Sequence, residues 1–301
     1  MFTVRKRGRF AAVALVVGAA VALSGCATAD PLAPETPTAE SETIVIGSQA
    51  YYSNEIIAEI YAQALEGAGF TVERKFNIGQ RDAYLPELES GAVDLFPEYT
   101  GNLLQFFDPD TTATESEAVF AALQDVLPAN LTVLDQSSAT DQDSYNVTAA
   151  FAEANGLASL GDLAGIEGLT LGGPPELEER PYGPAGLLDV YGATVAFSAT
   201  GDTTVDALVA GTVNIANVYS ADPRIQIEGL VTLADPQGLF LASNVVPLVG
   251  ADIAAEIADV INAVSAALTP EGLVALNVQS TVDELSPDEI ATAWLTENGF
   301  I

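Results

Sequence analysis

The stretch that decides the fold is Leu88-Glu89-Ser90-Gly91-Ala92-Val93-Asp94-Leu95-Phe96-Pro97-Glu98-Tyr99-Thr100-Gly101-Asn102. A glycine follows a helical segment and precedes an apolar run, the pattern of a helix handing over to a buried strand. Upstream, residues 43–48 (TIVIGS) form a β-branched run ending near glycine, as a short buried parallel strand does. Residues 54–67 carry Ile56, Ile57, Ile60, Tyr61, Ala64 and Leu65 at helical spacing, with Ser53 as the expected N-cap and Gly67 as the stop. Residues 70–76 read as a second strand, 81–90 as a helix and 91–96 as a third strand. This β-α-β-α-β order is the unit of a doubly wound α/β sheet.

The deciding stretch recurs. Residues 208–219 (LVAGTVNIANVY) repeat 88–99 (LESGAVDLFPEY) in the order and spacing of Leu, Gly, Val, Asp/Asn, Leu/Ile and Tyr. Strands at 169–173, 193–198 and 212–216 alternate with helices at 185–191 and 203–210. A Leu-x-x-Gly-x-Val-Asp join is common in α/β proteins, so the repeat alone speaks only for architecture. Both copies, however, put a tyrosine just past the carboxyl end of a strand, where open α/β sheets bind ligands. Residues 131–134 (LTVL) and 143–148 (DSYNVT) lie between the halves, an apolar run at 240–249 follows, and helices at 251–268, 270–277 and 287–298 close the chain. The expected arrangement is a two-lobed α/β fold. Residues 43–142 with 243–301 form lobe one, and 143–242 form an inserted lobe two. The chain then crosses between mostly parallel sheets twice, which makes a two-stranded hinge and a cleft.

Composition narrows the function. Of 301 residues, 42 are acidic and 9 basic, a formal net charge of −33, with no histidine and one cysteine. Histidine-dependent triads, HExxH zinc helices and C2H2 fingers are excluded, as are internal disulfides and cysteine-clustered metal sites. So acidic a chain has no electrostatic grip on nucleic acid or an anionic membrane. The N-terminus carries Arg5, Lys6, Arg7 and Arg9, then 14 apolar residues from 10 to 23. That run is short of the roughly 20 residues a spanning helix needs and suits a signal peptide. Leu23-Ser24-Gly25-Cys26 resembles a bacterial lipobox, which implies cleavage after residue 25 and a diacylglyceryl thioether on Cys26. Acyl chains contribute about 0.8 kcal/mol per buried CH2, so two or three anchor stably. Residues 26–42 (CATADPLAPETPTAESE) then read as a flexible tether. The processed chain holds five basic residues, Arg74, Lys75, Arg81, Arg180 and Arg224, against 42 acids, a balance of −37.

The combination resembles the osmoprotectant-binding proteins of ABC importers, which take glycine betaine, choline, carnitine and related quaternary amines. The matching stretches are Ile46-Gly47-Ser48-Gln49, residues 88–102, Asp141 to Val147 (DQDSYNV) and Tyr219 to Ile225 (YSADPRI). The resemblance implies a type II periplasmic-binding-protein fold and an interlobe tyrosine cage. By position it implies cage roles for Tyr99, Tyr145 and Tyr219, with Asp143 presenting its backbone carbonyl to the cation. Gln49 falls where the family has Lys or Gln, and Arg180 where it has a carboxylate-binding Arg; Arg81 is a second candidate. Asn102 stands where the family often has a Thr that donates to the ligand carboxylate, and Ser243 where it has a further cage Tyr, which Phe240 or a loop tyrosine could replace. The implied partners are a small quaternary amine, a permease with its ATPase, and the membrane through the lipid anchor. The protein is expected to be a monomer without metal or cofactor.

The chemistry is consistent with that reading. A quaternary ammonium has full charge and no N–H, so aromatic faces suit it better than hydrogen-bond acceptors, each contributing about 0.5–2 kcal/mol when desolvated. A betaine's carboxylate needs donors, and arginine's planar fork matches it. Each residue also has a plainer role open to it. Arg180 could form a surface salt bridge with adjacent Glu176, Glu178 or Glu179; Tyr61 and Tyr191 sit at core spacing; Tyr51, Tyr52, Tyr84 and Tyr182 could line the cleft or face solvent. Arg224 is expected to pin a turn, and Arg74 and Lys75 to sit on an exposed strand face. Two other functions compete: a binding protein for another zwitterion such as an amino acid or ectoine, and a carboxylate-dependent hydrolase using pairs such as Glu178/Glu179 or Asp108/Asp110.

Overall fold

The computed structural model describes residues 43–301; the expected leader, Cys26 and the tether lie outside the described residues. Ten strands follow in chain order: β1 (Ile44–Gly47), β2 (Val72–Lys75), β3 (Leu95–Tyr99), β4 (Leu131–Val133), β5 (Asp143–Thr148), β6 (Leu169–Gly173), β7 (Val195–Ala199), β8 (Ile215–Tyr219), β9 (Leu230–Thr232) and β10 (Val245–Gly250). They form two five-stranded mixed sheets flanked by helices, ordered β2-β1-β3-β10-β4 and β7-β6-β8-β5-β9.

Alternation along the strands explains the apolar runs. In β3 and β10, Leu95, Val245 and Val249 pack with Ile56, Ile57 and Ile60 of the helix Tyr52–Gly67, while Phe96, Val246 and Leu248 pack with Leu88 and Leu103 on the opposite face. Both faces are covered, so the two strands are apolar on both sides apart from Glu98, whose charge is paired with Arg81. The second sheet is likewise covered, with Leu169, Leu171 and Tyr145 on one face and Val213, Ala216 and Val218 on the other.

The two copies of the deciding stretch start their strands later than expected. The expected strand 91–96 is β3 at Leu95–Tyr99, and 212–216 is β8 at Ile215–Tyr219. Gly91 and Gly211 adopt φ of 71° and 74°, a left-handed turn that delays strand entry. Tyr99 and Tyr219 are therefore the last strand residues instead of lying beyond them. Ser53 does not cap the first helix. That role falls to Tyr51, without a side-chain bond, and Ser53 lies in the first turn. Helices at Thr100–Phe107, Ser116–Val126 and Ala149–Asn155 were not expected from periodicity.

The chain passes between the sheets from β4 to β5 and from β9 to β10. The two crossing segments pair through an antiparallel bridge between Thr140 and Asn244, and the Asp141 N–H donates to the Ser243 carbonyl at 3.2 Å. Gly101 presses the start of its helix onto the second crossing. A Cβ there would meet the Ala242 carbonyl oxygen at 2.7 Å, so only glycine fits. That approach lets the Ser243 hydroxyl accept the N–H groups of Gly101 and Asn102 at 3.1 and 3.3 Å, satisfying unpaired donors of the helix start.

Candidate functional site

The carboxyl ends of β1 and β3 in one sheet face those of β6 and β8 in the other. These are the points where each strand order reverses, and ligands of open α/β sheets bind there. The cleft between them encloses about 480 Å³ of atom-free space, open mouth included.

Four tyrosines line it: Tyr51, Tyr99, Tyr182 and Tyr219. Tyr99 closes β3, is 6% exposed and sits opposite Val245 in the ladder. Tyr219 closes β8 opposite Asp143. The Tyr51 ring meets Tyr219 at 5.0 Å between centroids, tilted by 52°. Burial pushes the Tyr51, Tyr99 and Tyr219 hydroxyls well above the usual phenol range, so the rings stay neutral.

Tyr145 does not line the cleft. It shares a face of β5 with Asp143 but lies two residues further along, about 6–7 Å deeper in the lobe. It is fully buried, its hydroxyl donates to the Tyr182 carbonyl, and its ring meets Phe240 edge-on at 4.9 Å. It thus supports Tyr182, which occupies the place at the cleft. Phe240 lies behind Tyr182 at 5.8 Å, and Ser243 braces Asn102 by donating to its amide oxygen at 2.8 Å.

Asn102 and Arg81 are otherwise engaged. The Asn102 amide donates to Asp143 at 2.8 Å and to the Tyr182 hydroxyl at 3.1 Å, so it links the helix Thr100–Phe107 to the second sheet and has no hydrogen left for a ligand carboxylate. Asp143 accepts a further bond from Asn217 at 2.9 Å. Arg81, 7% exposed, grips Glu98 through two bonds of 2.8 Å, and Tyr84 donates to the same carboxylate. Its Nε and Nη2 are spent on Glu98, and it lines the cleft wall.

Arg180 differs. It lines the cleft from the loop after β6 and is half-buried. Arg74, Lys75, Arg81 and Arg224 all make ion pairs; among the described residues Arg180 makes none, so the surface bridge to its glutamate neighbours is not formed. Gln49, just past β1, lines the cleft with its backbone N–H held by Asn54 and its amide donating to the Tyr84 hydroxyl at 3.4 Å.

Asp141 was not singled out from sequence, and Tyr51 and Tyr182 were left open between the cleft and solvent. Asp141 lies in the first crossing segment, is 3% exposed and lines the cleft. It accepts from the Tyr51 hydroxyl at 3.1 Å and the Ala221 N–H at 3.0 Å. Burial above all, helped by the Asp222 charge, pushes its carboxyl up to about 7 against those two bonds. The available signal was position: Asp141 is two residues before Asp143, and Tyr51 two after Gln49.

Comparison with known proteins fits this geometry. Residues 42–297 match the family described as the substrate-binding domain of ABC-type glycine betaine transport systems. The glycine betaine-binding protein YehZ of Escherichia coli (strain K12) is 28% identical over 284 residues, 88% of this chain and 93% of that protein. A glycine-betaine-binding protein of Pseudomonas aeruginosa is 25% identical over 280 residues, 86% of this chain and 89% of that one. Among solved structures, a glycine betaine/carnitine/choline ABC transporter protein superposes with a TM-score of 0.72 at 20% identity, covering 85% of this chain and 99% of its own. The lactococcal glycine betaine complex in its closed form gives 0.62 at 15%, covering 85% and 96%, and carries the fold alone. The chain belongs to the family of substrate-binding domains of ABC-type glycine betaine transport systems.

Proposed function

We propose that this family member is the extracytoplasmic solute-binding component of an ABC importer, and that it takes a quaternary-ammonium osmoprotectant between its lobes. The observation that carries this reading is the convergence of four neutral tyrosines, two from strand ends and two from adjoining loops, on one cleft. Rings at 99 and 51 from one lobe and 182 and 219 from the other would enclose the methylated head by cation–π contacts. Arg180 would hold a carboxylate where the ligand has one.

Lobe one comprises 43–142 with 243–301, and lobe two 143–242, in this proposal. The paired crossings at Thr140 and Asn244 would act as the hinge, and the ligand, touching both lobes, would favour the closed form that the permease and its ATPase receive. The protein works as a binder, not an enzyme, and as a monomer. It is tethered through lipidated Cys26; intact mass of membrane-extracted protein should show acyl chains there, and an unmodified soluble product would refute the anchor.

Calorimetric titration with glycine betaine, choline, carnitine, proline betaine, ectoine and proline tests the ligand. We expect dissociation constants below about 1 mM for at least one quaternary amine, roughly 4 kcal/mol of binding or more. Binding of proline or ectoine alone would overturn the quaternary-amine assignment in favour of another zwitterion. Arg180→Gln should weaken glycine betaine and spare choline; equal losses would assign Arg180 a structural role.

A further inference from the structure

The cleft holds a group that a tyrosine cage alone does not require. Asp141 comes from neither sheet but from the crossing segment between them. Its oxygens are fixed from both sides, by the Tyr51 hydroxyl beside lobe one's first helix and by the Ala221 N–H just beyond β8. Among the described residues it makes no ion pair, and the rings of Tyr51, Tyr99 and Tyr219 are near enough to feel its charge.

The charge inventory of the lining is unequal. Asp141, Asp143 and Glu176 contribute three carboxylates, against Arg180 and an Arg81 already neutralised by Glu98. Asp143 is occupied by the amides of Asn102 and Asn217. Asn102, whose position would otherwise supply a donor to a ligand carboxylate, has both amide hydrogens engaged. The site is thus rich in negative charge and poor in anion donors. A ligand carboxylate brought here meets one unpaired guanidinium and several like charges, whereas a bare cation meets those carboxylates as attraction and Arg180 as the opposing charge.

We propose that Asp141 is a specificity-determining residue: its carboxylate is the counter-charge for the ligand's ammonium and biases the cleft toward quaternary amines of net positive charge over zwitterions. This rests on the quaternary-amine reading above. The groups facing Asp141 are Tyr51, Tyr52, Tyr99 and Tyr219, the Ala221 N–H, Ser53, and the acid Asp222. Of these only Asp222 adds charge near neutral pH, and it opposes ionisation. A bound monocation therefore draws the proton from Asp141, and its affinity rises as pH passes upward through about 7.

The experiment is calorimetric titration of the full chain and of Asp141→Asn with choline chloride and with glycine betaine, at pH 6 and pH 8. In the wild type, choline should bind about tenfold more weakly at pH 6 than at pH 8, because ionisation of a group near 7 changes by that factor. Glycine betaine should change less. Asp141→Asn should lower choline affinity at pH 8 by about tenfold or more, with glycine betaine within about threefold and the pH dependence of choline gone. Equal losses for both ligands would overturn the proposal and make Asp141 a support for Tyr51. A wild type that binds glycine betaine more tightly than choline at pH 8 would overturn it as well, and that readout stands even where the variant fails to fold by circular dichroism. If the wild type binds neither probe, the quaternary-amine reading itself falls, an outcome distinct from both.

Discussion

Residues 88–99 and 208–219 build the same device twice and differ in what stands before the closing tyrosine. In both, a helix ends at a left-handed glycine, with φ of 71° at Gly91 and 74° at Gly211. In both, a side chain three residues on accepts an N–H from the neighbouring strand: Asp94 from Val45 at 2.7 Å, Asn214 from Thr170 at 2.9 Å. In both, the strand ends in a tyrosine at the cleft, opposite the first residue of a strand entered from a crossing segment, Val245 for Tyr99 and Asp143 for Tyr219. The residue before the tyrosine differs. Glu98 is fully buried under Arg81, Tyr84 and the Tyr99 N–H, whereas Val218 is 4% exposed in an apolar cluster. The shared device sets where the rings stand. The buried ion pair is an addition that only the first of the two stretches carries.

That addition gives the largest expected effect. Arg81→Met leaves Glu98 buried without its cation, which costs about 3–5 kcal/mol because the desolvated charge stays behind. Chemical denaturation should show this as a lower midpoint at unchanged slope. The double variant Arg81→Met/Glu98→Leu, which makes lobe one resemble the Val218 side of the comparison, should recover most of the loss. A loss below about 1 kcal/mol in the single variant would mean that water reaches the pair and that the two halves differ less than their side chains suggest.

The architecture was legible because it depends on periodicity. β6 was expected at 169–173 and is found at Leu169–Gly173, and both sheets follow from runs buried on two faces. Strand starts at β3 and β8 were missed by three to four residues, since an apolar run does not reveal that its first residues form a left-handed turn. The site was legible where a side chain ends a strand, as at Tyr99 and Tyr219. It was not legible where depth decides. Tyr145 and Asp143 share a face, and only the packing of Tyr182 and Phe240 determines that the first is core and the second lines the cleft. Arg81 and Arg180 look alike in sequence, and only the fold brings Glu98 to one and no acid to the other.

The smallest expected effect tests whether the repeated device also means a repeated role. Tyr99 is held within its own lobe, with Asn54 donating to its hydroxyl at 3.5 Å, while Tyr219 is half-buried and leans on Tyr51 of the other lobe. Tyr99→Leu and Tyr219→Leu each remove one aromatic face from the proposed cage. Each should weaken the bound quaternary amine by about 0.5–2 kcal/mol, roughly two- to thirtyfold in the dissociation constant. Stability should separate them: Tyr99→Leu disturbs a packed core position and lowers the denaturation midpoint, whereas Tyr219→Leu, at the cleft surface, does so less. Similar affinity losses with unequal stability losses would establish equivalent faces on unequal supports. An affinity loss confined to Tyr99 would show that the rigid lobe alone recognises the cation. In that case closure of the second lobe would act through Tyr51 and Asp141, which join the two sides, and the symmetry of the strand ends would be architectural only.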